Sequence, residues 1–113
     1  MLKNVPVQLE GYKLRVSEAP TVKMYTNDKG QEEIQTDFHG ATLHVVSLFV
    51  KARPQDGRPA PKGFEAKVTL ETAPEDEFDE GVLVELINPR ISQWQNERGS
   101  GVSLKATGIK LAG

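Results

Sequence analysis

The chain has no cysteine, and that absence removes disulfides, zinc–thiolate sites and cysteine nucleophiles at once. It also fits a reducing compartment. Aromatic residues are scarce, with one Trp, two Tyr and four Phe in 113 residues. No apolar run approaches the ~20 residues that a membrane-crossing helix needs, and no signal-peptide pattern opens the chain. Met1-Leu2-Lys3 reads as a native start, so a cytoplasmic protein is expected. The length suits one domain rather than two.

Helical periodicity is also missing. In its place are short alternating runs cut by Gly, Pro, Asn and Asp, the pattern of strands and turns. In "YKLRV", Tyr12, Leu14 and Val16 share one face and Lys13 and Arg15 the other. In "TVKMYT", Val22 and Met24 oppose Thr21, Lys23 and Tyr25. "NDKG" at 27–30 reads as a hairpin turn with "EEIQTDF" returning from it. "ATLHVVSLFV" is the most apolar run, expected to be partly covered on both faces. "FEAKVTL" sends Phe64, Ala66, Val68 and Leu70 inward and Glu65, Lys67 and Thr69 outward. "GVLVELI" is a further strand, ended by Asn88-Pro89. In the last run, Val102, Leu104 and Ala106 share a face, then parity shifts to Ile109 and Leu111, the mark of a β-bulge placed at Gly108. Six or seven such strands predict an all-β domain, a small antiparallel β-barrel. An OB-fold-like barrel spanning 1–113 is the leading candidate. Its long bent first strand would be 11–26, broken at Ala19-Pro20.

The formal net charge of −2 conceals two opposed segments. From Lys51 to Lys62 the chain carries Lys51, Arg53, Arg58 and Lys62 against Asp56 alone. This is a Pro- and Gly-rich stretch, expected to be an exposed loop. From Glu71 to Glu80 it carries Glu71, Glu75, Asp76, Glu77, Asp79 and Glu80 and no base. A short helical turn is allowed there. Such polarity matters more to a partner than the total does.

Trp94, the only tryptophan, lies between Gln93 and Gln95 with Asn96, Glu97 and Arg98 behind it. No apolar neighbour at strand or helix spacing claims it for a core. The expectation is a ligand-facing residue in a long loop from Pro89 to Gly101, with "GSG" at 99–101 as a turn. The alternative is that the loop folds back and Trp94 plugs the barrel beside Ile91. Sequence-independent binding of unpaired nucleic acid needs cations along the backbone path and aromatic faces for the bases. Candidates are Lys23 with Tyr25, then Arg90, Arg98 and Lys105 around Trp94. The basic loop residues Lys51, Arg53, Arg58 and Lys62 are candidate phosphate contacts.

The stretch from Lys67 to Gly113 resembles the C-terminal half of the gene V-type single-stranded DNA-binding proteins of filamentous phages. The shared parts are the Lys67-Val68-Thr69-Leu70 strand, an acidic connection from Pro74 to Glu80 and a Gly-led strand from Gly81 to Ile87. A loop holding an aromatic, here Trp94, and a strand from Ser103 to Leu111 complete the match. The layout is also similar to single-stranded DNA-binding proteins of phages and conjugative elements of Gram-positive bacteria. The resemblance implies an OB-fold, single-stranded DNA as the partner, no cofactor and a homo-oligomer, a dimer first.

Two other classes compete. An enzyme would rest on "DFHGATLH", where Asp37, His39 and His44 are the candidate acid–base or metal set. Strand spacing does not converge them, and a structural His44 is the simpler reading. No phosphate-cradling Gly-rich motif is present. The sequence therefore reads as non-catalytic, with no metal. A protein–protein interaction module is the remaining alternative, favoured by the acidic stretch.

Overall fold

Ten strands and no helix make up the computed structural model, which describes residues 1–112. They are β1 (Val5–Pro6), β2 (Tyr12–Val22), β3 (Met24–Thr26), β4 (Glu32–Ile34), β5 (His44–Ala52), β6 (Phe64–Leu70), β7 (Leu83–Ile87), β8 (Arg90–Asn96), β9 (Gly99–Ala106) and β10 (Gly108–Leu111). Eight form one sheet in the order β1-β8-β9-β6-β5-β2-β7-β10, and β3 and β4 form a separate hairpin.

One joint curls that sheet into a barrel. β9 pairs in parallel with β6, Val68 beside Leu104 and Leu70 beside Ala106. After the single residue Thr107 the same strand continues as β10, which pairs antiparallel with β7. The Thr107 amide donates to the Ile87 carbonyl, and its own carbonyl accepts from Thr72. One strand thus touches both β6 and β7, and the ring runs β2-β5-β6-β9/β10-β7 back to β2. This is a small, OB-fold-like β-barrel. The parity slip lies at Thr107, one residue before the expected Gly108, because Thr107 is where the strand changes partners.

β2 is the long bent strand. Its pairing with β5 shifts register between Val16 and Glu18 and again before Thr21. Each shift adds curvature, so one strand can serve both sides of the barrel. Inside lie Leu14, Val16, Val46, Leu48, Val50, Val68, Leu70, Val84, Ala106 and Ile109. Phe64 keeps its inward parity but is 57% exposed, at the mouth where the chain leaves β5 and enters β6.

The acidic connection contains no helical turn. Its contribution is Phe78, only 3% exposed and part of the core, while Glu75, Asp76, Glu77, Asp79 and Glu80 stay in water. The Phe78 ring joins the core and so plugs the barrel interior from the connection between β6 and β7. The acids keep the rest of the segment solvated, so charge and burial divide cleanly within a few residues.

Two hairpins stand off the barrel. β3–β4 interrupts the connection from β2 to β5, and β8–β9 that from β7 to the closing strand. The principal extents are 54 × 35 × 22 Å and the radius of gyration is 15.3 Å, above the ~13 Å of a compact chain this long, in keeping with projecting hairpins. The segment from 89 to 101 is therefore a paired hairpin and not a long loop. The turn is Glu97-Arg98, and Gly99 to Gly101 belong to β9. A polar face had concealed the strand, since neither side of the projecting part is buried in the barrel.

Truncating the plug tests this architecture. Phe78→Ala should cost roughly 3–5 kcal/mol in urea unfolding, in line with loss of a buried phenylalanine. Glu77→Ala next to it should change stability by less than about 0.5 kcal/mol.

Candidate nucleic-acid interface

Side chains alternate along strands, and residues paired across strands share a face. The register therefore lists the barrel's outer face directly. Thr69 lies beside Val45 on β5 and Lys105 on β9, and Lys105 lies beside Arg90 on β8. The same face holds Ser47 with Lys67, and Phe49 with Glu65. At its far end Lys51 lies opposite Lys13. Along the projecting hairpin it continues through Ser92 and Ser103 to Trp94 and Gly101. In OB-folds the face of the second and third strands, here β5 and β6, together with the first-to-second and fourth-to-fifth connections, takes oligonucleotides or oligosaccharides.

Two exposed rings on this face rest on glycines. Trp94 is 43% exposed, and its indole lies across Gly101, where a Cβ would come within 2.7 Å of Cζ2. Phe49 is 42% exposed, and a Cβ on Gly63 would overlap its ring. A bare glycine leaves room for each ring against the neighbouring backbone, where a Cβ would displace it, while much of the ring stays in solvent. Trp94 is thus neither free in a loop nor a plug in the barrel. Sequence reading missed Phe49, because its run "HVVSLFV" is apolar on both parities. Lys67, already placed outward by alternation, and Lys13 also join the face.

The expected cations divide into groups. Lys23, at the joint of β2 and β3, sends its Nζ to Thr69 Oγ1 at 2.9 Å, and Lys105 is Thr69's neighbour in the ladder. Burial, with the Lys105 charge beside it, holds the Lys23 amine below the usual lysine range. Arg90 is on the same face but engaged. It is ion-paired with Glu71 and donates to the Asn88 carbonyl. Asn88 Nδ2 donates to Thr107 Oγ1, and Thr72 Oγ1 to the Thr107 carbonyl. These side chains knot together the end of β6, the β7–β8 corner and the β9–β10 joint. Asn88 takes a left-handed φ of 53° there, turning the chain out into β8. Arg90 therefore anchors the hairpin. Arg98 occupies the hairpin's exposed turn, its amide held by Asn96 Oδ1 at 2.8 Å.

Lys51 is exposed at the opposite end of β5 from Lys23. Arg53 turns away from the face, since Nε donates to the Glu10 carbonyl at 3.0 Å and its amide to Gly11. Arg58 and Lys62 remain exposed in the 53–63 connection, where Gln55 and Arg58 form a tight turn. β9 runs parallel to β6, so the Glu97-Arg98 turn points toward the same end as this basic connection.

The β3–β4 hairpin closes the other end. Asn27 Oδ1 accepts from the amides of Lys29 and Gln31, and Gly30 takes a φ of 78°. Tyr25 shares the Lys23 side of this hairpin. Its hydroxyl donates to Glu33 Oε2 at 2.7 Å, which raises the phenol's pKa and lowers the carboxyl's, while its ring stays exposed.

Asp37 and His39 belong to one turn, and His44 to β5. Asp37 Oδ1 accepts from the amides of His39 and Ala41, capping a turn. The His39 ring stacks on Phe38 at 4.0 Å. His44 faces inward in β5, with a buried Nδ1 that has no partner. Among the described residues no three His, Cys, Asp or Glu side chains are arranged to hold a metal, and no helix is long and apolar enough to cross a membrane. Neither a scan against protein-family models nor a search of curated proteins finds a match.

The ring-on-glycine contact is directly testable. Gly101→Ala should lift the indole off β9 and red-shift the emission of the sole tryptophan while the protein stays folded. Unchanged emission from a folded variant would place the ring elsewhere.

Proposed function

We propose that this OB-fold-like barrel binds single-stranded nucleic acid, DNA first, without sequence preference and without catalysis. The observation that carries the reading is the pair of exposed rings, Phe49 and Trp94, laid on glycines of one face that also holds Lys23, Lys67 and Lys105. Bases stack on rings whose outer side is free, and each stack contributes roughly 1–3 kcal/mol. The rings are held before a ligand arrives, so less ordering entropy opposes binding. Tyr25 is a third aromatic at the β3–β4 end. Arg98, Lys51, Arg58 and Lys62 extend the positive path, whereas Arg53 and Arg90 serve the scaffold. A strand would run across β5, β6 and β9 between the two hairpins. Such a protein would act in the cytoplasm, in replication or transfer of a phage or mobile element, as a homo-oligomer with a dimer as the first state to test.

A second reading has its own observation. Phe38 is 93% exposed at the Asp37-capped turn, and Met24 and Ile34 are exposed on the side of the β3–β4 hairpin away from Tyr25. That strip suits a protein partner, and an interaction module without nucleic acid would use it.

One measurement separates the readings, and a second tests the path of the strand. Oligo-dT at low salt should quench Trp94 strongly, bind better than duplex, and lose ~1–3 kcal/mol of affinity in Trp94→Ala with the fold intact. No quenching and no binding would leave the interaction module ahead. Neutralising Arg58 and Lys62 together should weaken binding to all sequences alike and flatten the salt dependence by about 1–2 units of log–log slope. An unchanged slope would take the 53–63 connection off the path.

A further inference from the structure

The half-buried lysines at the β2–β3 end of the face lack the counter-charges that such groups usually have. Lys23 cannot swing out freely. Its amide donates to the Leu43 carbonyl and its carbonyl accepts from Gln35, both at 2.8 Å, which fixes the backbone at the meeting point of β2, β4 and β5. From there the side chain reaches across to β6 and ends on Thr69 Oγ1. Lys105 is paired with the same threonine in the β6–β9 ladder, near enough for its charge to act on Lys23. Among the described residues neither lysine has a carboxylate within 4.0 Å, where the ion pairs are Arg90–Glu71 and Lys110–Glu85. Glu71, two residues beyond Thr69, is occupied by Arg90 and by Thr107.

The two ammonium groups repel each other, and partial burial makes the repulsion stronger than in water. A barrel stabilised only by its own contacts would gain from an acid here. An anion with several oxygens relieves the repulsion, because it accepts from both amines and from the hydroxyl, which has a proton to donate when Lys23 moves to the anion. A tetrahedral oxyanion offers those acceptors in three directions, as a planar carboxylate does not.

We propose that Lys23, Thr69 and Lys105 form a seat for one phosphate group, at the crossing of the β2–β3 joint with β6 and β9. The seat deepens the single-strand reading and rests on it for its source, a backbone phosphate of a strand lying between Phe49 or Trp94 and Tyr25. Free phosphate shares the chemistry and fits the same three groups.

The experiment has two arms on the intact protein. In the first, melting temperature is measured in sodium phosphate and in sodium chloride at equal ionic strength and pH. Phosphate should raise it in the wild type and in Lys110→Gln, and the rise should vanish in Lys105→Gln and in Thr69→Val. Thr69→Ser should retain it. In the second arm, the salt dependence of oligo-dT affinity should flatten by about 0.7 units in Lys105→Gln, the value for one phosphate contact on a single strand. Lys23→Gln should match it if that variant folds, and the Lys105 and Thr69 variants carry the test if it does not. A rise without oligo-dT binding supports the seat and sinks the single-strand reading. Oligo-dT binding with no rise and an unchanged Lys105→Gln slope overturns the seat and leaves the single-strand reading standing.

Discussion

The exchange of partners at Thr107 is the constraint on which the rest of the molecule depends. Before it the strand lies parallel to β6, and after it antiparallel to β7. That one exchange converts a curled sheet into a barrel and so creates an interior for Leu48, Val68 and Leu70, which are fully buried. It also fixes where β9 begins, and with it the hairpin that carries Trp94. The polar knot of Glu71, Thr72, Asn88, Arg90 and Thr107 sits on the same joint. Barrel closure and hairpin placement are therefore one structural event. A rotation of the joint would move the tryptophan relative to Phe49.

Most of the barrel was legible in the sequence. Alternation in "FEAKVTL" sent Val68 and Leu70 inward, alternation in "YKLRV" put Leu14 and Val16 on one face, which is the buried one, and the slip near Gly108 announced an irregular last strand. The β3–β4 turn followed from Asn27 and Gly30. The projecting strands were less visible. Periodicity reports burial against a core, and the outer part of β8–β9 has none, so Gln93, Gln95 and Asn96 read as loop. Phe78 was hidden for the opposite reason, one buried ring among acids with no period at all.

The candidate site was legible by residue type and not by role. Trp94, Tyr25, Lys23 and Lys105 were singled out, and the structure puts Lys23 on Thr69 and Lys105 beside that threonine in the ladder. Composition cannot reveal that Arg53 is tied to Glu10 or that Arg90 is tied to Glu71, because those bonds join positions far apart in the chain. Nor can it reveal Phe49. A strand with valines on both parities gives no signal for which of its large residues faces out. Only the register, Phe49 beside Glu65 and Arg15, settles that.

Parallel closure also governs how such a chain reaches its fold. β2, β5 and β6 follow one another as antiparallel neighbours and can zip up progressively. β9 cannot join β6 until both hairpin strands and the acidic connection have been accommodated, for it reaches β6 only from far along the sequence. The entropy of closing that large loop is lost before any of its pairing is gained. Until then the edge of β6 is open and Leu70 and Val68 are uncovered. Assembly should accordingly be slow for a domain this size, with closure of the ring as its last and rate-limiting step. The vulnerable species is a three-stranded meander whose unpaired edge invites association with its own kind.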